Sequence, residues 1–269
     1  QTTLSDMASL DSGGRWLIDG DPSIDRFAQQ VTRIEEKGPH RVVHVDLDYV
    51  YDPDPAQQEA NLGRLVQRIA DLRVSTVFLQ AYADPAGHGT VQELYFPNRH
   101  LPMRADLFNR SAWQLRTRAG VEVYAWMPVL SFDLDPALPR VEQYDPGTGT
   151  TAINPGQYRR LSPFDPRVRQ AIGEIYEDLA AHATFTGVLF HDDALLSDYE
   201  DVSPAALAAY AAAGLGEQIT QFRADDAQLW RWTRFKSRYL TDFTLELADR
   251  VRAIRGPQVK TARNLFALP

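Results

Sequence analysis

The 269-residue chain contains no cysteine. Disulfides and thiolate metal sites are therefore excluded, and redox logic does not fix the compartment. No apolar run is long enough to cross a bilayer as a helix. No Gly-rich phosphate loop follows the first predicted strand, which argues against a dinucleotide fold. No internal repeat is visible. Positive charge is in the minority: 28 Lys and Arg stand against 36 Asp and Glu, a net charge of −8. A nucleic-acid binder usually shows the opposite balance, whereas an acidic chain suits a cationic ligand. The first residue is Gln1, no signal-peptide pattern precedes it, and the last apolar segment, 261–269, stops without a following helix. The expectation is an excised piece of a longer or processed protein.

The first forty residues are polar and irregular, with one predicted helix over 22–37 that places Ile24, Phe27, Ala28, Val31 and Ile34 at helical spacing. They are read as an N-terminal segment, 1–40, ahead of one large domain, 41–269. From residue 41 a rhythm sets in. A strand over 41–48 precedes a helix that Asp54-Pro55 opens and that ends near Leu72, its stripe formed by Leu62, Leu65, Val66, Ile69 and Leu72. A strand over 75–82 follows, then a short helix capped by Ser111 and stopped at Gly120, then a strand over 121–130. Asp165-Pro166 opens a helix with Val168, Ile172, Ile175, Tyr176 and Leu179 inside, and 186–191 is the fourth strand. A long helix over 226–255 stops at Gly256, and 259–266 is the fifth strand. Strands alternating with helices predict an α/β fold with a parallel sheet. The specific expectation is a (β/α) barrel of TIM type, with only its first five strands present or with the barrel incomplete.

Polar residues gather at the C-terminal ends of those strands: Asp46 and Asp48, then Gln80, Tyr82 and Asp84, then Trp126, then Asp192 and Asp193, then Arg263 and Asn264. In a β/α barrel that end carries the chemistry. The stretch "HDDALLSDYED" places two aspartates side by side directly after the apolar "GVLF". They read either as a pair that caps a loop or as catalytic carboxylates whose mutual repulsion raises a pKa, as glycoside hydrolysis needs. Asp46 and Asp48, two apart, share one face of a strand and read as ligand or catalytic support, or as part of a buried network with an Arg. His44 and His191 match no metal signature, and His191 reads as a hydrogen-bonded neighbour of the acids. Tyr49, Tyr51, Tyr82, Trp126 and Tyr158 supply aromatic faces of the kind on which sugars stack. The loops "FPNRHLPMRADLFNR" and 132–165 are long enough to be binding walls. Arg234, Lys236 and Arg238 read as a solvated helix face.

The motifs "HVDLDYVYD", "STVFLQAYADPAG", "YFPNRHLPMRADLF", "AWQLRTRAGVEVYAWMPVLSFDLDP", "GVLFHDDALLSDYED", "RFKSRYLTDFTLELADRVRAIRGP" and "KTARNLFALP" carry a resemblance that covers nearly all of the chain from about residue 41. The chain resembles the C-terminal glycoside hydrolase domain of the PgaB family of poly-β-1,6-N-acetyl-D-glucosamine deacetylases. The resemblance implies a β/α barrel that binds partially de-N-acetylated poly-β-1,6-N-acetylglucosamine and cleaves it internally, without a cofactor. It implies a separate N-terminal metal-dependent de-N-acetylase domain on the same polypeptide, of which nothing is visible here. A periplasmic, outer-membrane-associated location follows from it, with an outer-membrane export porin as a further partner. It also places the key acids in the "HDD" motif, at Asp192 and Asp193, and a groove tyrosine at Tyr158. The chain departs from the family pattern by stopping after the fifth strand. Asp192 is the first choice for the essential acid, and Asp193 is expected to orient the acetamido group or stabilise the transition state. Asp46, Asp48, Tyr51, Tyr82, Trp126, Tyr158 and His191 are expected to bind substrate. Two rivals stand beside this reading: a non-catalytic polysaccharide-binding module, and a metal-dependent amidase.

Overall fold

A computed structural model of the chain describes residues 8–10, 16–18, 41–154 and 158–264. The chain divides into two compact units, Gln1–Pro39 and His40–Pro269. In the first, β1 (Ala8–Leu10) pairs antiparallel with β2 (Trp16–Ile18). The helix expected over 22–37 lies outside the described residues.

The second unit follows the predicted alternation. β3 (Val42–Val45) leads into α1 (Pro55–Leu72), then β4 (Thr76–Gln80), with a short hairpin of β5 (Tyr82–Ala83) and β6 (Glu93–Leu94). α2 (Phe108–Gln114) precedes β7 (Glu122–Met127), and a second hairpin joins β8 (Gln143–Asp145) to β9 (Thr150–Ala152). α3 (Pro166–His182), β10 (Gly187–Phe190), α4 (Pro204–Ala212), α5 (Ile219–Phe222), α6 (Asp226–Arg255) and β11 (Lys260–Arg263) complete it. Asp54 and Asp165 cap α1 and α3 by accepting from Ala56 N and Arg167 N, each with proline at the first helical position. Ser203-Pro204 opens α4 by the same device.

The five long-range strands form one parallel sheet in the order β11-β10-β7-β4-β3. Among the described residues its edges, β3 and β11, do not pair with each other. One face carries Val77, Leu79, Val123, Ala125 and Val188, all fully buried with Leu62, Val66, Ile69, Ile172, Ile175, Leu179, Phe243, Leu247 and Val251 of the helices in one cluster. Burying each Val, Leu, Ile or Phe side chain of this set contributes about 1.5–3 kcal/mol. The other face carries an aromatic row, His44, Phe78 and Tyr124, in register and packed edge to face at 5.1 and 5.4 Å. Gly187 ends that row, because a Cβ there would stand 2.5 Å from the Tyr124 ring.

Four expectations are corrected. The first strand stops at Val45: Asp46 caps a 3-10 turn, Leu47–Tyr49, by accepting from Asp48 N, so Asp46 and Asp48 do not share a strand face. Ser111 does not cap α2. The helix starts at Phe108, whose ring is buried, and the Tyr95 carbonyl takes the N–H groups of Leu107 and Phe108 in place of a side-chain cap. The strands are shorter at both ends than their apolar runs, since the flanking apolar residues, such as Val129 and Leu130, are buried in loops. Lys236 is not solvated: it is 2 % exposed.

Lys236 belongs to a polar group set into a second cluster of Phe164, Val202, Tyr210, Phe222 and Trp232. Its ammonium donates to the carbonyls of Ser197 and Glu200 and lies 3.5 Å from the centre of the Trp232 ring. Beside it Arg160 pairs with Glu200 at 2.8 Å, both buried. Asp201 accepts from Ser162 Oγ, Glu142 N and Ser203 N. Burial pushes the Lys236 amine down to about 7, against the upward pull of Asp198, Glu200 and Asp201. Below that pH both the folded and unfolded chains hold the proton, and the cost of the buried ammonium is present in full. Between about 7 and the ordinary lysine value of 10.5 the folded chain sheds a proton that the unfolded chain keeps, so stability rises with pH. Thermal melts should show the midpoint climbing from about pH 7 to about pH 9, and Lys236→Met should flatten that climb.

Candidate functional site

The C-terminal ends of β3, β4, β7 and β10 surround a cavity of about 220 Å³ lined by Asp46, Gln80, Tyr82, Asp84, Gly87, Gly89, Trp126, Pro128, Tyr158 and His191. Of the residues expected to bind substrate, it brings together Asp46, Tyr82, Trp126, Tyr158 and His191. Asp192 stands at its edge: Tyr158 Oη reaches its carboxylate at 3.4 Å, and His191 Nδ1 lies 2.7 Å from the same oxygen but out of line for a hydrogen bond. Its side chain is 19 % exposed.

Asp193 is placed quite differently. Its side chain is fully buried and points at the turn that follows β7, where both oxygens accept from Val129 N and one of them also takes Leu130 N and Ser131 N, all at 2.7–3.1 Å. Three backbone donors thus engage both oxygens of the buried carboxylate. The pair therefore splits by role. One acid is left at the cleft, and the other ties the exit of β10 to the exit of β7. The same turn is held from beneath, where Tyr176 Oη donates to Pro128 O at 2.7 Å.

Asp48 and Tyr51 do not line the cavity. Asp48 accepts from the Tyr95 hydroxyl and from Asp84 N, and Tyr51 packs under the Arg104 guanidinium at 4.5 Å. Asp84, noted at a strand end but not chosen, is central. Its carboxylate accepts from His88 N and Gly89 N and closes the loop 84–89, which Gly87 and Gly89 enter at positive φ. The signal was present in "ADPAGHG", an Asp-Pro turn with two glycines. Gly89 leaves room for Tyr158, since a Cβ would sit 2.1 Å from two ring carbons. Gln80, also noted only as a strand-end residue, forms part of the cavity wall.

Electrostatics follow from burial beside carboxylates. Asp46 is pushed up, first by burial and then by Asp48 and Asp84, against the Asp48 N–H that pulls it down. Burial pushes Tyr158 up to about 12, aided by Asp192 and Asp193, so it stays a donor. Tyr82 is pushed far above the ordinary range by burial and by Asp193 and Asp84. Burial and nearby His191 hold His44 down, so it is neutral at pH 7. Trp126 and His191 stack at 10° with centroids 5.4 Å apart. Among the described residues no group of three or more His, Asp or Glu side chains has a metal-site arrangement.

Of the two long loops, 132–165 contributes Tyr158 to the cleft. It also supplies Asp133 and Arg159 to a neighbouring cavity of about 360 Å³ that shares Asp84. The loop 96–110 is mainly tied down on α3, where Arg99 pairs with Asp178 and Glu177, and His100 lies 2.6 Å from Glu174. From it, Arg104 reaches the neighbouring cavity.

Residues 44–269 match the model of the family described as Hypothetical glycosyl hydrolase family 13. Over all 269 residues the chain is 57% identical to the poly-beta-1,6-N-acetyl-D-glucosamine N-deacetylases of Escherichia coli K12 and O157:H7, and it spans 40% of their length. Among solved structures it is similar to the PgaB (BpsB) glycoside hydrolase domain from Bordetella bronchiseptica, with 52% identity and a TM-score of 0.78 over 85% of this chain and 65% of that one. The alpha-L-fucosidase isoenzyme 2 of Paenibacillus thiaminolyticus, at 16% identity and a TM-score of 0.56 over 84% of this chain and 32% of that one, shares the fold.

Two outcomes follow from the geometry. Asp193→Ala strands three buried N–H groups at about 1–3 kcal/mol each, so chemical denaturation should show a loss of several kcal/mol. An unchanged midpoint would show that the turn holds without the carboxylate. Gly89→Ala should push the Tyr158 ring out of the cleft, visible as a change in tyrosine accessibility with a smaller effect on stability than Asp193→Ala.

Proposed function

The chain belongs to Hypothetical glycosyl hydrolase family 13, and from that premise we propose that it is an endo-acting glycoside hydrolase domain whose substrate is partially de-N-acetylated poly-β-1,6-N-acetylglucosamine. The observation that carries the reading is the unequal fate of the paired aspartates. Asp193 is consumed in holding the turn, while Asp192 is kept partly exposed at the mouth of a cleft walled by Asp46, Asp84, Tyr82, Tyr158 and Trp126. The names of the relatives support the choice of polymer.

In this reading Asp192 is the essential acid at the scissile bond, where the sugar develops oxocarbenium character. Tyr158, which remains protonated, donates to Asp192 and fixes its orientation. Asp193 acts through the backbone, by fixing the turn that follows Trp126 and Met127 at the end of β7. Asp46 takes up a proton at a higher pH than an ordinary aspartate and is a second carboxyl within reach of the sugar. Asp46 and Asp84, with no Lys or Arg among the described residues lining this cavity, attract the amines that de-N-acetylation exposes. The parallel sheet is taken as part of a TIM-type barrel. The whole protein would carry an N-terminal de-N-acetylase domain, lie in the periplasm attached to the outer membrane, and pass its polymer to an export porin.

The test is product analysis by mass spectrometry on partially de-N-acetylated polymer, with the full-length protein. Wild type should release shorter oligosaccharides, and Asp192→Asn should release none while its melting temperature stays within about 2 °C, as expected of a partly exposed residue. Binding without cutting by both proteins would favour a non-catalytic module that guides the polymer, a role that the deacetylase names of the curated relatives keep in view.

A further inference from the structure

Asp48 lies outside the cavity, yet it is bonded to both acids that wall it. Its N–H donates to Asp46 Oδ1 at 2.8 Å. One oxygen of its carboxylate accepts from Asp84 N at 2.8 Å, and the other accepts from the Tyr95 hydroxyl. Tyr95 is a fixed post: it is fully buried, its N–H donates to Ala81 O, and its carbonyl receives Leu107 N and Phe108 N at the start of α2. Burial and the bond to Asp48 push its phenol far above the ordinary range, so it acts as a donor. From Asp84 the connection continues. The Asp84 carboxylate accepts from His88 N and Gly89 N, the Tyr158 ring lies in the space that a Cβ on Gly89 would fill, and Tyr158 Oη reaches Asp192 at 3.4 Å. Contact by contact, Asp48 is joined to Asp192.

We propose that Asp48 is a positioning residue for the cleft: it fixes Asp46 and the loop 84–89 relative to one another and, through Gly89 and Tyr158, sets the place of Asp192. The role is geometric. A third carboxylate beside Asp46 and Asp84 repels both, a cost that is offset only if its oxygens are put to use. Here the Tyr95 hydroxyl holds one oxygen, and the other is thereby aimed at the N–H that begins the loop. The loop itself is a poor scaffold, since Gly87 and Gly89 take positive φ and add no side chains that could pack. Its tie to Asp48 supplies the stiffness that its sequence lacks. A reacting group displaced by about 1 Å can lose about a hundredfold in rate, so an anchor outside the cavity governs the chemistry within it. The inference rests on the reading of the cleft as a hydrolase site, because it assigns Asp48 to the placement of that reaction's acid.

The experiment compares Asp48→Ala and Asp48→Asn with wild type in the full-length protein, by kcat and KM on partially de-N-acetylated polymer and by amide hydrogen exchange read by mass spectrometry. Asp48→Asn keeps the shape: its amide oxygen accepts from Asp84 N, and its NH2 group donates to the Tyr95 oxygen. Asp48→Ala should lower kcat by about tenfold to a hundredfold and speed exchange within 84–89. Asp48→Asn should restore the slow exchange and bring kcat back to within about threefold of wild type. Should Asp48→Ala fail to fold, Tyr95→Phe takes its place; it keeps the buried ring, frees one oxygen of Asp48, and should loosen 84–89 and lower kcat to a smaller degree. A loss of stability in Asp48→Ala with kcat and the exchange of 84–89 unchanged would overturn the assignment and leave Asp48 a stabilising residue alone. So would an Asp48→Asn variant as slow as Asp48→Ala with its loop still protected, since the charge and not the geometry would then matter. If wild type cuts no polymer, the hydrolase reading fails by itself; faster exchange confined to 84–89 in Asp48→Ala still upholds the tie, and unchanged exchange there overturns it.

Discussion

Everything at the cleft depends on how one buried carboxylate is satisfied. An ionised aspartate removed from water is costly unless its oxygens are fully engaged. Asp193 meets that condition with backbone N–H groups from three consecutive residues of a single turn, Val129, Leu130 and Ser131. Because those donors are fixed in the chain, the interaction is geometrically demanding. It sets the distance between the ends of β7 and β10 and thereby places His191 and Asp192 relative to Trp126. Two further backbone bonds extend the effect: Leu161 N donates to Leu130 O, and Val91 N to Ser131 O. The turn is thus the knot through which the loops bearing Tyr158 and Asp84 are tied to the sheet.

The second cluster does related work from the other side. In the segment after "HDD", Ala194, Leu196, Tyr199 and Val202 join the apolar clusters, and charged side chains tie down its backbone: Arg160 donates to Glu200 and to Leu195 O, and Lys236 donates to the carbonyls of Ser197 and Glu200. Arg263, at the tip of β11, reaches Ala194 O at 2.7 Å. Three cations therefore converge on main-chain carbonyls of 194–200. Such buried charges need not add net stability, but removing one leaves its partners exposed to a low-dielectric interior. Around the cleft itself, Arg104 and Arg159 stand in the neighbouring cavity that shares Asp84, and neither is among the described residues that line the smaller cavity with Asp46.

Much of the architecture was legible before any coordinates. Local signals sufficed wherever a proline and a capping side chain coincide: Asp54-Pro55 and Asp165-Pro166 start helices at the residues expected, and Gly256 ends the long one. The strand-end acids and aromatics gather at one end of the sheet as expected, because parallel strands linked by helices must all end on the same side. Errors arose where a distant group replaced a local one. Ser111 was a plausible cap, but the carbonyl of Tyr95 serves the start of that helix. Lys236 sits in a run of charged residues that reads as a wet face, yet Trp232, also on α6, and the carbonyls of a remote loop enclose it. Ser203-Pro204 was an equally good helix signal that went unused.

The sequence by itself determined the order of strands and helices, the acidic character of the cleft, and the pairing of Asp192 with Asp193, because periodicity, capping and charge are properties of neighbours along the chain. It also carried the family resemblance in its motifs. Only the tertiary structure decided what each polar group does. Adjacent aspartates look identical on paper, and it took the backbone of residues 129–131, more than sixty positions away in the chain, to turn one into an anchor and leave the other partly exposed at the cleft. The same holds for Asp46 and Asp48. They are near neighbours along the chain, and only the fold brings Asp84 N and the Tyr95 hydroxyl to the carboxylate of Asp48 while Asp46 is left at the cavity wall.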